Sequence, residues 1–351
     1  MKIKQQKYLM DVVVIRLVLI FLLVFYHAFA IYSGAWSNPF PACQVNAVDV
    51  PLYSFMAKLS HNFQLEAMTF ISGLLFGYSI KHHPEYMTFQ GCIVKKAKRV
   101  LLPCFFFSAF YYVIFFDLSA SWYHVLYDIL QGCGHLWYLP MIFWCFVGVY
   151  LIEKYIRISP QFFWVLAACA ALLSLKVYLP LRLGHTATFF IYFLSGYFVM
   201  KYDLSQRIVF DTKVSMLLIV LYVLFGVCLK ENVIDWETHS LSLKICRILT
   251  MNTLHLLGGG MMILSLYGLS NKAIVQEYLH NHSRFITLSG YCYGVYIFQQ
   301  FVLKYLYYKT DFPILFSSVT LPWISFLLAL VLSILFCHLM LKTKFGRFLI
   351  G

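Results

Sequence analysis

Ten runs of mostly apolar residues follow one another along the chain, each close to the roughly 20 residues an α-helix needs to cross a bilayer. Their approximate limits are 12–32, 61–81, 100–117, 135–153, 160–178, 187–201, 210–229, 247–268, 285–307 and 318–341. Within lipid, backbone N–H and C=O groups must be satisfied inside a helix or a closed barrel. The runs are continuous rather than alternating, which favours helices over barrel strands. Composition agrees: 62% of residues are hydrophobic and only 12% charged, against about 25% charged in a soluble domain. That density cannot cover a water-facing surface. The expected fold is therefore all-α, a polytopic membrane helix bundle of about ten transmembrane helices. It forms one domain over residues 1–351, with no soluble domain.

Orientation follows from Lys and Arg, which collect in cytoplasmic loops. With the N-terminus inside, the cytoplasmic segments hold Lys2, Lys4 and Lys7, the cluster Lys95, Lys96, Lys98 and Arg99, and Lys342, Lys344 and Arg347 near the other end. The first two outer loops, about 33–50 and 118–134, hold neither residue type. Both termini are thus expected to be cytoplasmic. The same rule accounts for the net charge of +13 without nucleic acid, for which no basic-aromatic module is visible. Ala28-Phe29-Ala30 has the look of a signal cleavage site. The run before it is long, holds an Arg and precedes nine similar spans, so it is expected to stay as a first helix. Residues 121–131 suit a short interfacial helix. The ten cysteines show no metal-ligand spacing, and no metal is expected. Cys43 and Cys133 fall in loops placed outside, where a disulfide between them is one option.

Ionisable groups inside a span are costly and call for a reason. Arg16 and His27 lie in the first span. Eleven helical steps carry the chain about 20° past three full turns and rise about 16 Å, so the two share one face. Arg16 alone reads as a snorkelling cation, and His27 alone as an interhelical hydrogen-bonding group. Together they suit a phosphate clamp at one level and a proton-handling imidazole at another. Glu66 is the acidic residue deep in an apolar run. It either orients a histidine or sits as a protonated, hydrogen-bonded carboxyl. Lys95 to Arg99 reads as topogenic charge or as an anion site. His135 and Trp137 open the fourth run on the outer side. An aromatic belt explains Trp137 better than it explains His135. Gly258-Gly259-Gly260 has the character of a close-packing segment, and His255 and His338 that of core or interface histidines.

The order of these features resembles a known family, the integral-membrane acyltransferases called acyltransferase 3, which O-acylate surface glycans and related acceptors. Arg16 and His27 match its Arg-x10-His. Leu65 to Gly73 is similar to its acidic-to-Ser-Gly motif, and Lys98 to Pro103 to its basic run ending in Pro. Gly134-His135-Leu136-Trp137-Tyr138-Leu139-Pro140 is close to its Gly-His-Leu-Trp-Phe-Leu block. Phe193 to Tyr197 and Ser289 to Phe298 resemble later blocks. Three positions depart from the pattern: Gln299 stands where a His is usual, Val13 where an acid is common, and Thr69 interrupts a double Phe.

The resemblance implies a multi-pass enzyme of a bacterial cytoplasmic membrane. Its donor would be a cytoplasmic acyl-CoA, with acetyl-CoA expected, and its acceptor a hydroxyl of a glycan or lipid-linked sugar on the outer side. Arg16, Lys98 and Arg99 would hold the donor phosphates. His27 would act as base with Glu66 behind it, and His135 and Trp137 would shape the acceptor side. Ser72 is a weaker candidate nucleophile. The rival reading is a transporter or flippase without covalent chemistry, although no inverted repeat is visible.

Overall fold

The computed structural model describes residues 9–37, 39, 50–116, 119–156, 159–173, 179–204, 211–230, 241–282 and 284–351. Cys43 lies outside them, and with it the disulfide option. Among the described residues the fold is all-helical with no strand. The ten apolar runs correspond to α1 (Met10–Ala28), α2 (Pro51–His82), α3 (Leu102–Phe115), α5 (Tyr138–Tyr155), α6 (Pro160–Leu172), α7 (Leu183–Lys201), α8 (Thr212–Lys230), α9 (Leu241–Ser270), α11 (Arg284–Tyr308) and α12 (Leu321–Lys342). Between and after them lie α4 (Trp122–Gln131), α10 (Ala273–Asn281) and α13 (Lys344–Ile350).

Six helical segments among the described residues are both long and apolar enough to cross a membrane: Met10–Ala28, Gln90–Phe115, Gly134–Tyr155, Pro180–Lys201, Ile248–Ser270 and Leu321–Lys342. The long helices α2 and α11 are not among these six, and their polar residues explain why. α2 carries Lys58, His61, Gln64 and Glu66, and α11 carries Gln299, Gln300 and Lys304. Apart from the exposed Lys58, these residues lie buried or half-buried in the bundle.

α2 and α7 pack along their length through two Ser-Gly pairs. A Cβ at Gly73 would fall within the van der Waals radius of the Phe193 carbonyl, and one at Gly196 within that of the Phe70 carbonyl. Only hydrogen in place of a side chain allows this approach. Against this pair stand α1, α11 and α12, which share a continuous core that includes Leu19, Leu23, Leu74, Phe193, Ile297 and Leu321. α1 ends at Ala28, where the buried Tyr307 hydroxyl donates to the freed Ala28 carbonyl at 2.7 Å.

α4 lies between α3 and α5. Trp122, Tyr123, Leu126 and Tyr127 are exposed on it, the pattern of a helix lying in a bilayer surface. The basic cluster 95–99 precedes α3 and is wound partly as π-helix, over Gln90–Val94 and Ala97–Leu101. Pro103 in the first turn of α3 has no N–H to offer the Arg99 carbonyl four residues back. The Tyr293 hydroxyl of α11 donates to that carbonyl instead, at 3.3 Å.

Candidate active site

Three adjacent cavities follow one face of α1. The first, about 650 Å³, takes Val12, Val13 and Arg16 from that helix. The second, about 590 Å³, takes Arg16, Leu19 and Ile20. The third, about 350 Å³, takes Leu23, Tyr26 and His27. These positions recur every three or four residues, as one helical face must. The first and second cavities share Arg16, Lys96, Arg99 and Gly290. The second and third share the rings of Tyr138 and Tyr296. Arg16 and His27 therefore line one series of spaces, with two tyrosines at the boundary nearer His27.

The Arg16 end is cationic. Arg16, Lys95, Lys96 and Arg99 line the first cavity, and none pairs with an Asp or Glu side chain among the described residues. The Lys96 ammonium lies 4.1 Å from the Phe146 ring centroid and 5.5 Å from that of Phe76. Lys95 lies 4.1 Å from the Tyr86 ring. Arg99 Nη2 donates to the Gly351 carbonyl at 3.1 Å. Ring faces orient these cations while leaving most of their N–H donors unused. Lys98, expected here from its motif, is exposed and lines none of the cavities described above. The wide i→i+5 turns bring Lys95, Lys96 and Arg99 to the cavity side and leave Lys98 on the other.

At the other end His27 is buried, with Trp36 nearly parallel to its ring at 5.8 Å and His135 edge-on at 6.1 Å. Its Nδ1 is buried without a hydrogen-bond partner. The Gln299 carboxamide is beside it, and both polar atoms of that amide are likewise buried and unpaired among the described residues. His61, which also lines the third cavity, stacks on Tyr26 at 4.0 Å between centroids, and Tyr26 lies 5.1 Å from the His27 ring.

His135 is clamped. Its Nε2 lies 3.0 Å from the Ile297 carbonyl, and its Nδ1 lies 2.9 Å from Gln300 Oε1. The same amide oxygen accepts the His135 backbone N–H at 3.0 Å and the Tyr111 hydroxyl at 2.9 Å. Tyr296 donates to the His135 carbonyl at 2.6 Å. The glycine before it is obligatory: Gly134 has φ +56°, and a Cβ there would strike Gln300 and Tyr111. A neutral imidazole donates to only one of these two oxygens; held between them, His135 shapes the cavity and presents its ring edge. Trp137 lines the same cavity and rests 5.0 Å from the His185 ring.

A family model described as an acyltransferase domain matches residues 11–342, nearly the whole chain. The chain belongs to the acyltransferase 3 family. Neither the curated proteins nor the solved structures give a match. Membership makes it an acyltransferase with a multi-pass helical membrane domain.

Other features bear on how this acyltransferase works. Glu66, 2% exposed, is hydrogen-bonded through Oε1 to Nε2 of His255 on α9, so the histidine it orients is His255 and not His27. Its Oε2 is buried without a partner. His255 had the marks of a core histidine in the sequence, and its acidic partner was not foreseen. Gly259 permits the approach, since a Cβ there would press on Tyr192 and on Glu66 Cγ. The Ser72 hydroxyl lines the second cavity but donates to the Met68 carbonyl at 2.8 Å, the usual intrahelical back-bond. Among the described residues no group of three or more His, Cys, Asp and Glu could hold a metal ion. His61, Gln300 and Lys304 line the third cavity without having been singled out in the sequence. Their signal was polar character inside otherwise apolar helices.

Proposed function

We propose that this protein transfers an acyl group, with acetyl the expected one, from cytoplasmic acyl-CoA to a hydroxyl of a glycan or lipid-linked sugar presented on the opposite side of the bacterial cytoplasmic membrane. The observation that carries the reading is the continuity of the α1 stripe: Arg16, Lys96 and Arg99, then two shared tyrosines, then His27. In this reading about ten helices span the bilayer with both termini inside, which puts the cationic end at the cytoplasm. The surrounding lipids exclude water from the path.

Arg16, Lys96 and Arg99 bind the phosphates of the donor. The thioester arm extends along the face that rises about 16 Å from Arg16 to His27. His27 accepts the proton of the acceptor hydroxyl as its oxygen attacks the thioester carbonyl carbon. The C–S bond breaks, and the same proton leaves on the CoA thiol, so the reaction needs no proton from outside. His135 and Trp137 form the wall against which the acceptor sugar rests.

The test is purified protein in nanodiscs with radiolabelled acetyl-CoA and candidate glycans. Label on the glycan, absent with His27→Ala while acetyl-CoA binding persists, supports the reading. Movement of glycan across vesicles without label would establish a transporter instead.

A further inference from the structure

Lys304 lies one helical turn beyond Gln300 on α11 and is half-buried at the wall of the third cavity. Its ammonium faces three rings, with centroids at 5.2 Å for Trp36 and 5.8 Å for Tyr111 and Tyr308. Among the described residues it makes no hydrogen bond and no carboxylate pairs with it. The closest candidate acceptor on its own helix face, Gln300 Oε1, is already taken by the Tyr111 hydroxyl and the His135 backbone N–H. Elsewhere in the molecule lysines do find acids: Lys201 meets Glu153 at 2.6 Å and Lys81 meets Asp203 at 2.5 Å.

The cavity itself is one-sided in charge. His27, His61, His135 and Lys304 line it, and no Asp or Glu does. A half-buried ammonium with three donors and no acceptor is an unfavourable arrangement unless something supplies the missing negative charge. The three rings hold the group in place by cation–π attraction without using its N–H bonds.

We propose that the third cavity contains an anion subsite built on Lys304. Resting on the function proposed above, this makes the acceptor a sugar that carries a carboxylate or a phosphate. That group pairs with Lys304 and thereby sets which hydroxyl faces His27. A neutral sugar leaves the ammonium unpaired and binds more weakly.

Equilibrium binding to the full chain in phosphatidylcholine nanodiscs tests this with three labelled sugars of one ring type: glucose, glucuronate and glucose 6-phosphate. At least one anionic sugar is expected to bind about ten-fold tighter than glucose, the size of a hydrogen bond to a charged group. That preference should vanish with Lys304→Gln, survive with Lys304→Arg, and survive with Lys309→Gln, an exposed position just past the end of the same helix. Glucuronate alone showing it identifies a carboxylate, and glucose 6-phosphate alone a phosphate. Absence of any preference, whether all three sugars bind or none does, overturns the proposal, as does a preference unaffected by Lys304→Gln. The readout is binding, so it separates from the reaction. Anion preference without acetyl transfer would sink the proposed function alone, and acetyl transfer to glycans without anion preference would sink the subsite alone.

Discussion

The carboxylate of Glu66 on α2 and the imidazole of His255 on α9 are hydrogen-bonded across a separation of 189 residues, with the second oxygen of Glu66 buried and unpaired. The pair ties the two helices together inside the bundle. Removing the histidine leaves a carboxylate that is 2% exposed with no partner at all. An orphaned buried acceptor costs about 1–3 kcal/mol. His255→Ala is therefore expected to lower the unfolding midpoint in detergent, and Glu66→Gln added to it should recover most of the loss. Strictly additive losses in the two single variants and the double variant would show that the groups do not interact.

The α2–α7 contact makes a prediction that runs against helix propensity. Alanine is favoured over glycine inside a helix by about 1 kcal/mol. At Gly73 and Gly196 the added methyl would run into a neighbouring main-chain carbonyl. Gly73→Ala and Gly196→Ala should thus each destabilise by about 1–3 kcal/mol, the usual cost of overpacking. At Gly260 a Cβ meets nothing within 4 Å, so Gly260→Ala should be neutral or slightly stabilising. Thermal unfolding of the three variants side by side checks the contrast.

These two cases mark what the amino-acid sequence discloses. Long continuous apolar runs reveal helices because lipid leaves the backbone only a helix or a closed barrel, and among the described residues a helix covers most of each run. The first ten residues of α2, 51–60, were missed because Ser54, Lys58 and Ser60 dilute their hydropathy. α10 and α13 are short and of mixed polarity, and no span-length pattern marks them. The stripe from Arg16 to His27 was legible because it needs only the pitch of one helix. The partner of Glu66 was not, since pairing across 189 residues depends on how helices dock. The exchange of Lys98 for Lys96 turns on two π-helical segments, and residue spacing read at 3.6 per turn does not contain them.

The cationic end offers a matched comparison. Arg16, Lys96 and Arg99 line both inner cavities, and Lys98 lines neither. Each charge-assisted contact to a phosphate is worth about 1.5–3 kcal/mol. Arg16→Met and Arg99→Met should therefore raise the KM for acetyl-CoA by about ten-fold or more, and Lys96→Met similarly. Lys98→Met should change it by less than about two-fold, since it lines neither cavity and its charge contributes through screened attraction only. Raising the salt concentration should weaken donor binding in the unaltered protein more than in Arg16→Met. Equal effects of Lys96→Met and Lys98→Met would mean that the cavity is not where the phosphates bind.

Gln299 is the final case, because it stands beside the imidazole that the proposed chemistry depends on. Nδ1 of His27 and both polar atoms of the Gln299 amide are buried, adjacent and unpaired. An amide oxygen accepting from a protonated Nδ1 would fix the tautomer in which Nε2 is free to take a proton. Gln299 would then be a positioning residue: its loss should lower kcat and leave the KM for acetyl-CoA unchanged. Gln299→Leu, similar in volume but unable to hydrogen-bond, is expected to reduce kcat by about 10- to 100-fold, less than the 10²- to 10⁴-fold expected for His27→Ala. Gln299→Asn should give only partial recovery, because its shorter side chain draws the amide back from the ring. In the double variant His27→Ala/Gln299→Leu the second change should add nothing, since it acts only through the imidazole. A further loss in that background, or a change in KM rather than kcat, would mean that Gln299 serves packing or donor binding instead.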